Sequence, residues 1–282
     1  MDLGSWALQN YKIQIFTFKT DPISPKNPPL HFTFLGTGTS QGIPLIGCTC
    51  PVCLSADERD QRLRTSLLVQ SPQTTLLVDA GPDLRQQLLR AQVADVDAIL
   101  ITHQHQDHTA GLDEVRAINF LQKHSIPIYA TPPVQARLRE QYSYIFQAAD
   151  YPGIPQIELR DLPQEPFKIG DIPVRPLFLK HAQLPVTGFR FKDFTYITDA
   201  NFIPPNECEK IKGSQCLVLN ALRKEPHHSH FTLSEALTMA DELAVPKAWF
   251  THLSHQMGLH KEVSASLPAN RFLAYDGLKL QF

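Results

Sequence analysis

The sequence predicts an α/β protein whose strands and helices are compatible with a sandwich of two packed sheets. Short β-rich apolar runs recur in both halves of the chain, and helical patterns follow several of them. The 282 residues are 43% hydrophobic and 19% charged, which is ordinary for a globular protein and excludes collagen-like, low-complexity and wholly disordered classes. This length suggests one large domain or two small ones.

The apolar patterns place these elements in order along the chain. A strand at 31–35 enters a glycine-rich turn at 36–40, which by itself is weak support for phosphate binding. Then follow hairpin strands at 65–70 and 74–79, a helix at 83–91, a strand at 98–102 and helices at 112–124 and 133–149. The second half predicts strands at 172–176, 177–180, 186–191, 195–198 and 217–219, a helix at 233–243, a strand at 247–251 and a final strand near 272–282.

The first 30 residues are predicted to be an N-terminal extension of unknown role. Residues 11–15 alternate like a strand, but the proline-rich run at 21–29 disfavours regular structure. The domain proper is expected to begin at His31 and to extend to residue 282.

Charge and hydropathy narrow the class of protein. The formal net charge of −2 provides no overall basic field of the kind that dominates nucleic-acid affinity, so a nucleic-acid partner is not expected. No apolar run reaches the roughly 18–20 residues that cross a bilayer, so a membrane span is not expected either. The N-terminus shows no secretory signal, and the expected location is the cytoplasm.

Histidines make a metal site the first functional hypothesis. Nine of the 12 histidines fall into three clusters, at 103–108, 227–230 and 252–260. His103, His105, Asp107 and His108 occupy six positions between a predicted strand and a helix, and imidazole and carboxylate groups suit zinc, manganese or iron. Residues two apart on an extended segment project to one side, so this loop can serve two adjacent metals. The alternative is a solvated polar loop with Asp107 as a helix cap.

Further candidate ligands lie near strand ends in the second half of the chain. His181, Asp199 and His252 each follow a short apolar strand, where a site along a sheet edge would draw its ligands, and His230 precedes a helix. Each of them alone is more often a surface or capping residue.

Together these residues resemble the metallo-β-lactamase superfamily, whose signature His-x-His-x-Asp-His follows the strand that ends at Thr102. The resemblance covers about residues 31–282 and implies a hydrolase with a four-layer αβ/βα sandwich and a dinuclear site along one edge of the sheets. It implies that His103, His105 and His181 hold one metal, that Asp107, His108 and His252 hold the other, and that Asp199 bridges them. A hydroxide shared by the two metals would be the nucleophile, and Asp79 would support the metal loop without binding metal.

A second metal site is predicted at Cys48, Cys50 and Cys53, whose spacing is poor for a disulfide framework and good for chelation. His255 is the expected fourth ligand, because the strand end that carries His252 would bring it to the same region. Such a closed site would hold a structural zinc. The alternative is three reduced thiols in a turn.

A narrower family resemblance rests on four segments together. They are Leu35-Gly36-Thr37-Gly38-Thr39-Ser40-x-Gly42, the cysteine loop from Gly47 to Cys53, Arg62-x-Arg64-Thr65-Ser66, and Thr251-His252-Leu253-Ser254-His255. They resemble the phosphoribosyl 1,2-cyclic phosphate phosphodiesterases of the carbon-phosphorus lyase pathway. The resemblance implies hydrolysis of a small cyclic phosphodiester, two catalytic metals (zinc or manganese), one structural zinc, and a homodimer. It also implies that His230 is the general acid or stabilises the phosphorane.

Two other functions remain open. A tRNA 3′-processing endonuclease shares the dinuclear motif, but its family uses a long basic arm, and no such insertion is visible between residues 128 and 175. A non-catalytic relative in cofactor biosynthesis or binding carries a similar cysteine loop, but it would be expected to have lost catalytic ligands.

Overall fold

The computed structural model describes residues 28–147 and 153–282, and most of the predicted extension, 1–27, lies outside them. The strands are β1 His31–Gly36, β2 Ser66–Gln70, β3 Thr75–Val78, β4 Ala98–Leu100, β5 Ile126–Ala130, β6 Ile157–Asp161, β7 Phe167–Ile169, β8 Ile172–His181, β9 Leu184–Phe191, β10 Phe194–Tyr196, β11 Cys216–Asn220, β12 Lys247–Thr251, β13 Arg271–Leu273 and β14 Lys279–Gln281. The helices are α1 Leu84–Ala91, α2 Gln106–Thr109, α3 Val115–Gln122, α4 Pro132–Gln141, α5 Ser143–Gln147, α6 Pro205–Ile211, α7 Leu233–Glu242 and α8 His260–Ser266.

The strands form two seven-stranded sheets, in the orders β14-β1-β2-β3-β4-β5-β6 and β13-β12-β11-β10-β9-β8-β7. In the first sheet β3, β4, β5 and β6 run parallel, and in the second β10, β11, β12 and β13 do. Parallel strands end at one edge of their sheet, so the loops that follow them collect there.

Three apolar cores separate four layers. Alternate residues of β2 show this: Leu67 and Val69 face the core between the two sheets, whereas Leu68 faces the core under α1, α3 and α4. A third core lies between the second sheet and helices α7 and α8. A strand that is buried on both faces needs apolar residues at successive positions, and this explains the continuous apolar runs in the sequence. The predicted αβ/βα sandwich is confirmed.

The C-terminal strand prediction is wrong in one respect. The segment predicted as one strand near 272–282 forms β13, which pairs with β12 in the second sheet, and β14, which pairs with β1 in the first. Gly277 turns the chain between them with a left-handed φ of 88°. The chain therefore crosses from one sheet to the other within a few residues.

The two strands predicted at 172–176 and 177–180 are one continuous strand, β8, although it contains prolines. The N–H groups of Phe178 and Lys180 point away from β9, toward Oε2 of Glu207 and the carbonyl of Phe202. The nitrogen of Pro176, two residues earlier, faces the same side, beyond the end of β7, where the sheet ladder requires no donor.

Other element predictions agree in type and differ in bounds. The helix predicted at 133–149 is divided into α4 and α5, and its last two positions lie outside the described residues. Helices α6 and α8 had no sequence prediction. Of the helices in the described ranges, none is long and apolar enough to cross a membrane.

Candidate metal-binding active site

The first group of potential ligands contains His103, His105, His181 and Asp199, at the edge where the strands end. His103 and His105 follow β4, His181 ends β8, and Asp199 follows β10. Their ligand atoms all lie within 4.8 Å of one another. Nε2 of His103 is 2.9 Å from Nδ1 of His105 and 3.8 Å from Oδ2 of Asp199. Tertiary structure thus joins residues from both sheets in one cluster.

The second group contains Asp107, His108, His252 and again Asp199, with ligand atoms within 4.8 Å of one another. Nε2 of His108 lies 3.2 Å from Oδ2 of Asp107 and 3.3 Å from Oδ2 of Asp199. Nε2 of His252 lies 3.2 Å from Oδ1 of Asp199. Asp199 directs one carboxylate oxygen toward each of these two histidines, and it is the residue that the two groups share.

These spacings fit a pair of metal ions. Nitrogen and oxygen ligands about 2.0–2.1 Å from zinc at tetrahedral angles lie about 3.4 Å apart, close to the separations around Asp199. Nε2 of His108 is buried and has no hydrogen-bond partner, although two carboxylates surround it. A cation would satisfy this nitrogen and both carboxylates together, so the donor set fits the metals that the fold implies.

Hydrogen-bond partners hold two of the imidazoles, those of His108 and His181, with Nε2 toward the centre. Nδ1 of His108 donates to Oδ2 of Asp79 at 2.7 Å, and Asp79 also accepts from the N–H and hydroxyl of Thr102. Nδ1 of His181 donates to the carbonyl of Ser229 at 2.6 Å. Such partners select the tautomer that leaves Nε2 free to bind metal. Asp79 therefore lies where the sequence resemblance places it.

The electrostatics of the centre favour bound cations. Burial opposes ionisation of Asp199, but His252 and His108 hold its pKa well below the usual range. Burial also opposes charging of His108, but Asp199, Asp107 and Asp79 raise its pKa well above the usual range. Carboxylates concentrated around buried imidazoles attract a proton in the free protein and would attract a divalent cation more strongly.

Backbone strain coincides with this centre. Asp79, Asp199 and His252 have left-handed φ angles of 65°, 60° and 56°, which non-glycine residues rarely adopt. Each such conformation costs on the order of 1 kcal/mol and persists only where the surrounding structure enforces it. Each of the three residues directly follows a strand or its short extension, and the sharp turn directs its side chain to the sheet edge.

His230 lies beside this centre, with its ring centroid 4.4 Å from that of His181 and 4.9 Å from that of His252. It is 8% exposed, and its Nδ1 has no hydrogen-bond partner. Burial, followed by the charge of His252, lowers the pKa of His230 to about 2. Of the two other histidines of this cluster, His227 is half-buried and His228 is exposed.

The cysteine loop is brought to His255 as predicted. Nδ1 of His255 lies 3.4, 3.3 and 3.8 Å from the sulfurs of Cys48, Cys50 and Cys53. Zinc bonds of about 2.3 Å to sulfur and 2.0–2.1 Å to nitrogen give a tetrahedral edge of about 3.6 Å, so these residues fit a zinc ion. The N–H of Cys53, followed by His255, lowers the pKa of the Cys50 thiol to about 6, and this favours the thiolate that binds metal.

The glycine-rich turn is structural. A Cβ at Gly36 would lie 1.9 Å from the carbonyl of Arg64, so only glycine permits this close backbone contact. The N–H of Leu253 donates to the carbonyl of Thr37, and the carbonyl of Leu253 accepts from the N–H of Thr39. The turn thereby supports the segment between His252 and His255.

Sequence reasoning missed a buried polar cluster that anchors the segment after the cysteine loop. Arg62 donates to Thr37, to the carbonyl of Ala274 and to Nδ1 of His260, and Asp60 accepts from the backbone N–H of His260. Arg62 belongs to a motif noted above and His260 to a histidine cluster. Their pairing, however, joins positions about 200 apart, and no local pattern reports that.

Comparison with known proteins agrees with this architecture. Residues 74–253 match the profile of the beta-lactamase superfamily domain. A diphosphatase described as new and from the PhnP family has a solved structure that is 38% identical, with a TM-score of 0.84 over 90% of this chain and 97% of that one.

Two curated relatives match this chain over only part of their own length. An octanoyltransferase of Porphyromonas gingivalis is 38% identical over 248 residues, which are 87% of this chain and 50% of that protein. Coenzyme PQQ synthesis protein B of Methylobacterium nodulans is 38% identical over 96 residues, 29% of this chain and 32% of that protein. The chain spans half or less of the length of these two relatives. The family profile spans well over half of this chain and includes its sheet-edge histidines and aspartates, and the chain belongs to the metallo-β-lactamase superfamily.

Proposed function

We propose that this protein is a dinuclear metal-dependent phosphodiesterase that hydrolyses a small cyclic phosphodiester, 5-phosphoribosyl 1,2-cyclic phosphate, to a phosphomonoester. The observation that carries the proposal is the presence of two complete ligand groups that share Asp199. Two metals about 3.5–4 Å apart are the arrangement that in-line displacement at phosphorus uses.

The ligand assignment follows the two groups. His103, His105 and His181 would hold one divalent metal, Asp107, His108 and His252 would hold the other, and Asp199, which belongs to both groups, would be shared between them. Zinc and manganese both suit this donor set. When bound, the two ions supply a water of lowered pKa as the nucleophile and neutralise the phosphate oxyanions.

His230 is assigned to the reacting phosphate. Because its pKa is far below neutrality in the free protein, His230 enters the reaction as a neutral imidazole. A neutral imidazole still donates one N–H hydrogen bond, and charge that develops on a phosphoryl or leaving oxygen would strengthen that bond. Two roles are expected for His230, and a neutral imidazole favours stabilisation of the phosphorane over proton transfer to the leaving oxygen.

The cysteine site is assigned a structural zinc held by Cys48, Cys50, Cys53 and His255. His255 follows His252 by three positions, and Leu253 between them is bonded to the glycine-rich turn. A zinc ion at this site would therefore stabilise the loop beside the catalytic ligands without touching substrate.

The likeness to a PhnP-family diphosphatase supports hydrolysis at a phosphorus centre. The proposal that the substrate is small is supported by the structure of the segment between β5 and β8. Its described residues fold into α4, α5, β6 and β7, and the carbonyl of Thr109 accepts from the hydroxyl of Tyr142. In the part of this segment that the structure describes, no long arm extends from the domain to grip tRNA.

Phosphorus NMR of the zinc- or manganese-loaded protein tests the proposal. The substrates are 5-phosphoribosyl 1,2-cyclic phosphate, a 2′,3′-cyclic nucleotide, a nucleoside diphosphate and a precursor tRNA, with the Asp107→Ala variant as the inactive control. We expect rapid conversion of the ribosyl compound, with much slower turnover of the others.

Each other outcome contradicts part of the proposal. Preferential cleavage of the nucleoside diphosphate would mean that the protein is a diphosphatase and not a phosphodiesterase. Selective tRNA cleavage would favour the endonuclease. No turnover of any substrate by protein that holds all three metals would favour a binding or biosynthetic relative.

A further inference from the structure

A cationic cleft lies on the second sheet, away from the proposed metals. It has a volume of about 280 Å³ and is lined by Pro166, Pro173, Val174, Arg175, Arg190 and Lys192. Three of the six lining side chains carry a positive charge and none carries a negative one. Arg175 lies near the opposite end of β8 from His181, at about 20 Å by the strand rise of about 3.3 Å per residue.

Two arginines face each other across this cleft. Arg175 in β8 is the direct cross-strand partner of Arg190 in β9. Directly opposed residues of an antiparallel pair project from the same face, and like charges in these positions destabilise the sheet. The pKa of Arg190 is lowered, first by burial and then by the charge of Arg175, so the two guanidinium groups oppose each other's charge.

The two arginines differ in their hydrogen bonds. Arg190 has a structural role, since its Nε donates to the carbonyl of Lys192 and its Nη1 to the carbonyls of Lys210 and Lys212 at the end of α6. Arg175 is exposed, and within residues 28–147 and 153–282 it makes no side-chain hydrogen bond or ion pair. Among the described residues, packing therefore explains Arg190 and gives no structural reason for the opposed charge of Arg175.

Two nearby carboxylates, Asp171 and Asp193, interact with the charges of Lys192 and Arg190 and offset part of the positive charge, but neither lines the cleft. Asp171 accepts hydrogen bonds from the hydroxyls of Ser71 and Thr74 on the first sheet. Asp193 is exposed in the turn after β9 and does not line the cleft. Lys192 adds a further cation, whose Nζ donates to the carbonyl of Pro28.

We propose that this cleft is a second, non-catalytic site for a phosphate-bearing anion, held between Arg175, Arg190 and Lys192. An arginine fork binds phosphate oxygens in bidentate geometry, and Arg175 offers such a fork, whereas Arg190, whose Nε and Nη1 donate to carbonyls, adds mainly its charge. The apolar wall of Pro166, Pro173 and Val174 strengthens the field in the cleft. The volume lies just below the roughly 300–1,000 Å³ of pockets for drug-sized ligands, so the cleft suits an inorganic diphosphate or the phosphate group of a small ester.

Isothermal titration of the zinc-loaded protein with pyrophosphate, and separately with inorganic phosphate, tests the proposal. The catalytic metals also bind phosphate groups, so wild type is expected to show two binding events for pyrophosphate. In Arg175→Gln the binding event at the cleft should be lost, which means that its affinity for pyrophosphate falls by at least about 10-fold. Arg175→Lys should still bind pyrophosphate at the cleft, but more weakly than wild type. Lys279→Gln removes one exposed charge from the first sheet and should titrate like wild type.

Thermal melting without added anion gives a second readout. Arg175→Gln should melt at or up to about 3 °C above wild type, because it relieves the opposed charges, and pyrophosphate should stabilise wild type more than the variant. If Arg175→Gln keeps both binding events, the cleft is not an anion site. If phosphate binds as tightly as pyrophosphate, a single phosphate group is the ligand. The loss of binding in Arg175→Gln does not depend on the phosphodiesterase proposal, because this substitution leaves every proposed metal ligand unchanged. Only the additional binding event at the catalytic metals rests on that proposal.

Discussion

Asp79 accepts a hydrogen bond from Nδ1 of His108 at 2.7 Å, and both side chains are fully buried. This bond fixes the imidazole with Nε2 toward the carboxylates of Asp107 and Asp199. Asp79 does not belong to either ligand group, but its hydrogen bond determines which nitrogen of His108 is free to bind a metal.

Replacing Asp79 by Asn should weaken the centre without unfolding the protein. Asparagine has the same shape and tolerates the left-handed backbone at this position, but it cannot accept as strongly from His108. Loss of such an outer partner typically lowers metal affinity or activity by about 10–100-fold. Metal titration and phosphodiesterase kinetics measure both, with Asp193→Asn as an exposed control. Unchanged values for both would show that Asp79 does not position His108.

Replacing Asp107 or Asp199 by Ala should abolish turnover, with a loss greater than the about 100-fold expected for outer partners. Mass spectrometric metal analysis should find three ions in wild type and two in Asp107→Ala. Because Asp199 belongs to both groups, Asp199→Ala should retain fewer catalytic ions than Asp107→Ala. Circular dichroism should show folded protein in each case. Full activity in either variant would refute the assignment.

Cys50→Ser should mainly lower stability. Binding free energy at a structural zinc is folding free energy, so a loss of several degrees in melting temperature is expected, together with one zinc ion. Cys208→Ser is the matched control, because Cys208 is also half-buried and lies outside the cluster. A Cys50→Ser protein that melts like wild type but loses turnover would mean that the cysteine site is catalytic.

His230→Ala should lower kcat by about 10²–10⁴-fold while the metal content stays at the wild-type value. His230→Gln should recover part of this loss, because its amide can donate one hydrogen bond. His228→Gln is the control, since His228 is an exposed histidine of the same cluster. A His230→Ala variant with normal kcat would remove His230 from the mechanism.

His260 should make stability depend on pH. Burial, followed by Arg62, lowers its pKa to about 4, below the 6.5 expected in the unfolded chain. The unfolded state therefore binds the proton first, and the stabilisation by neutral His260 is present above pH 6.5 and lost as pH falls toward 4. Between pH 7 and 5 this loss is about 1–2 kcal/mol.

Urea denaturation of metal-saturated wild type and His260→Gln at pH 7, 6 and 5 measures this effect. Glutamine retains an acceptor for Arg62 and does not titrate, so the variant should lose less stability over this range. Equal pH dependence in both proteins would contradict the role of His260.

The local part of the site could be predicted from the sequence. His103, His105, Asp107 and His108 lie so close in the chain that a single loop must place them together, and the same holds for Cys48, Cys50 and Cys53. Short apolar runs indicated the strands, and the structure shows that several of them are buried on both faces, as the four layers require. The first and last residues of helices and strands could not be predicted as well, because they depend on packing partners that the local sequence pattern does not contain.

Sequence by itself determined the chemistry of the ligands, since residue type and short spacing decide which atoms a loop can offer to a metal. Only the tertiary structure decided the rest. The meeting of His181, Asp199 and His252 depends on strand order in two sheets, and so does the crossing between β13 and β14. The lowered pKa of His230 depends on burial, and the opposition of Arg175 and Arg190 depends on strand register. Both are set by residues far away in the chain, because desolvation and strand pairing are properties of the packed molecule.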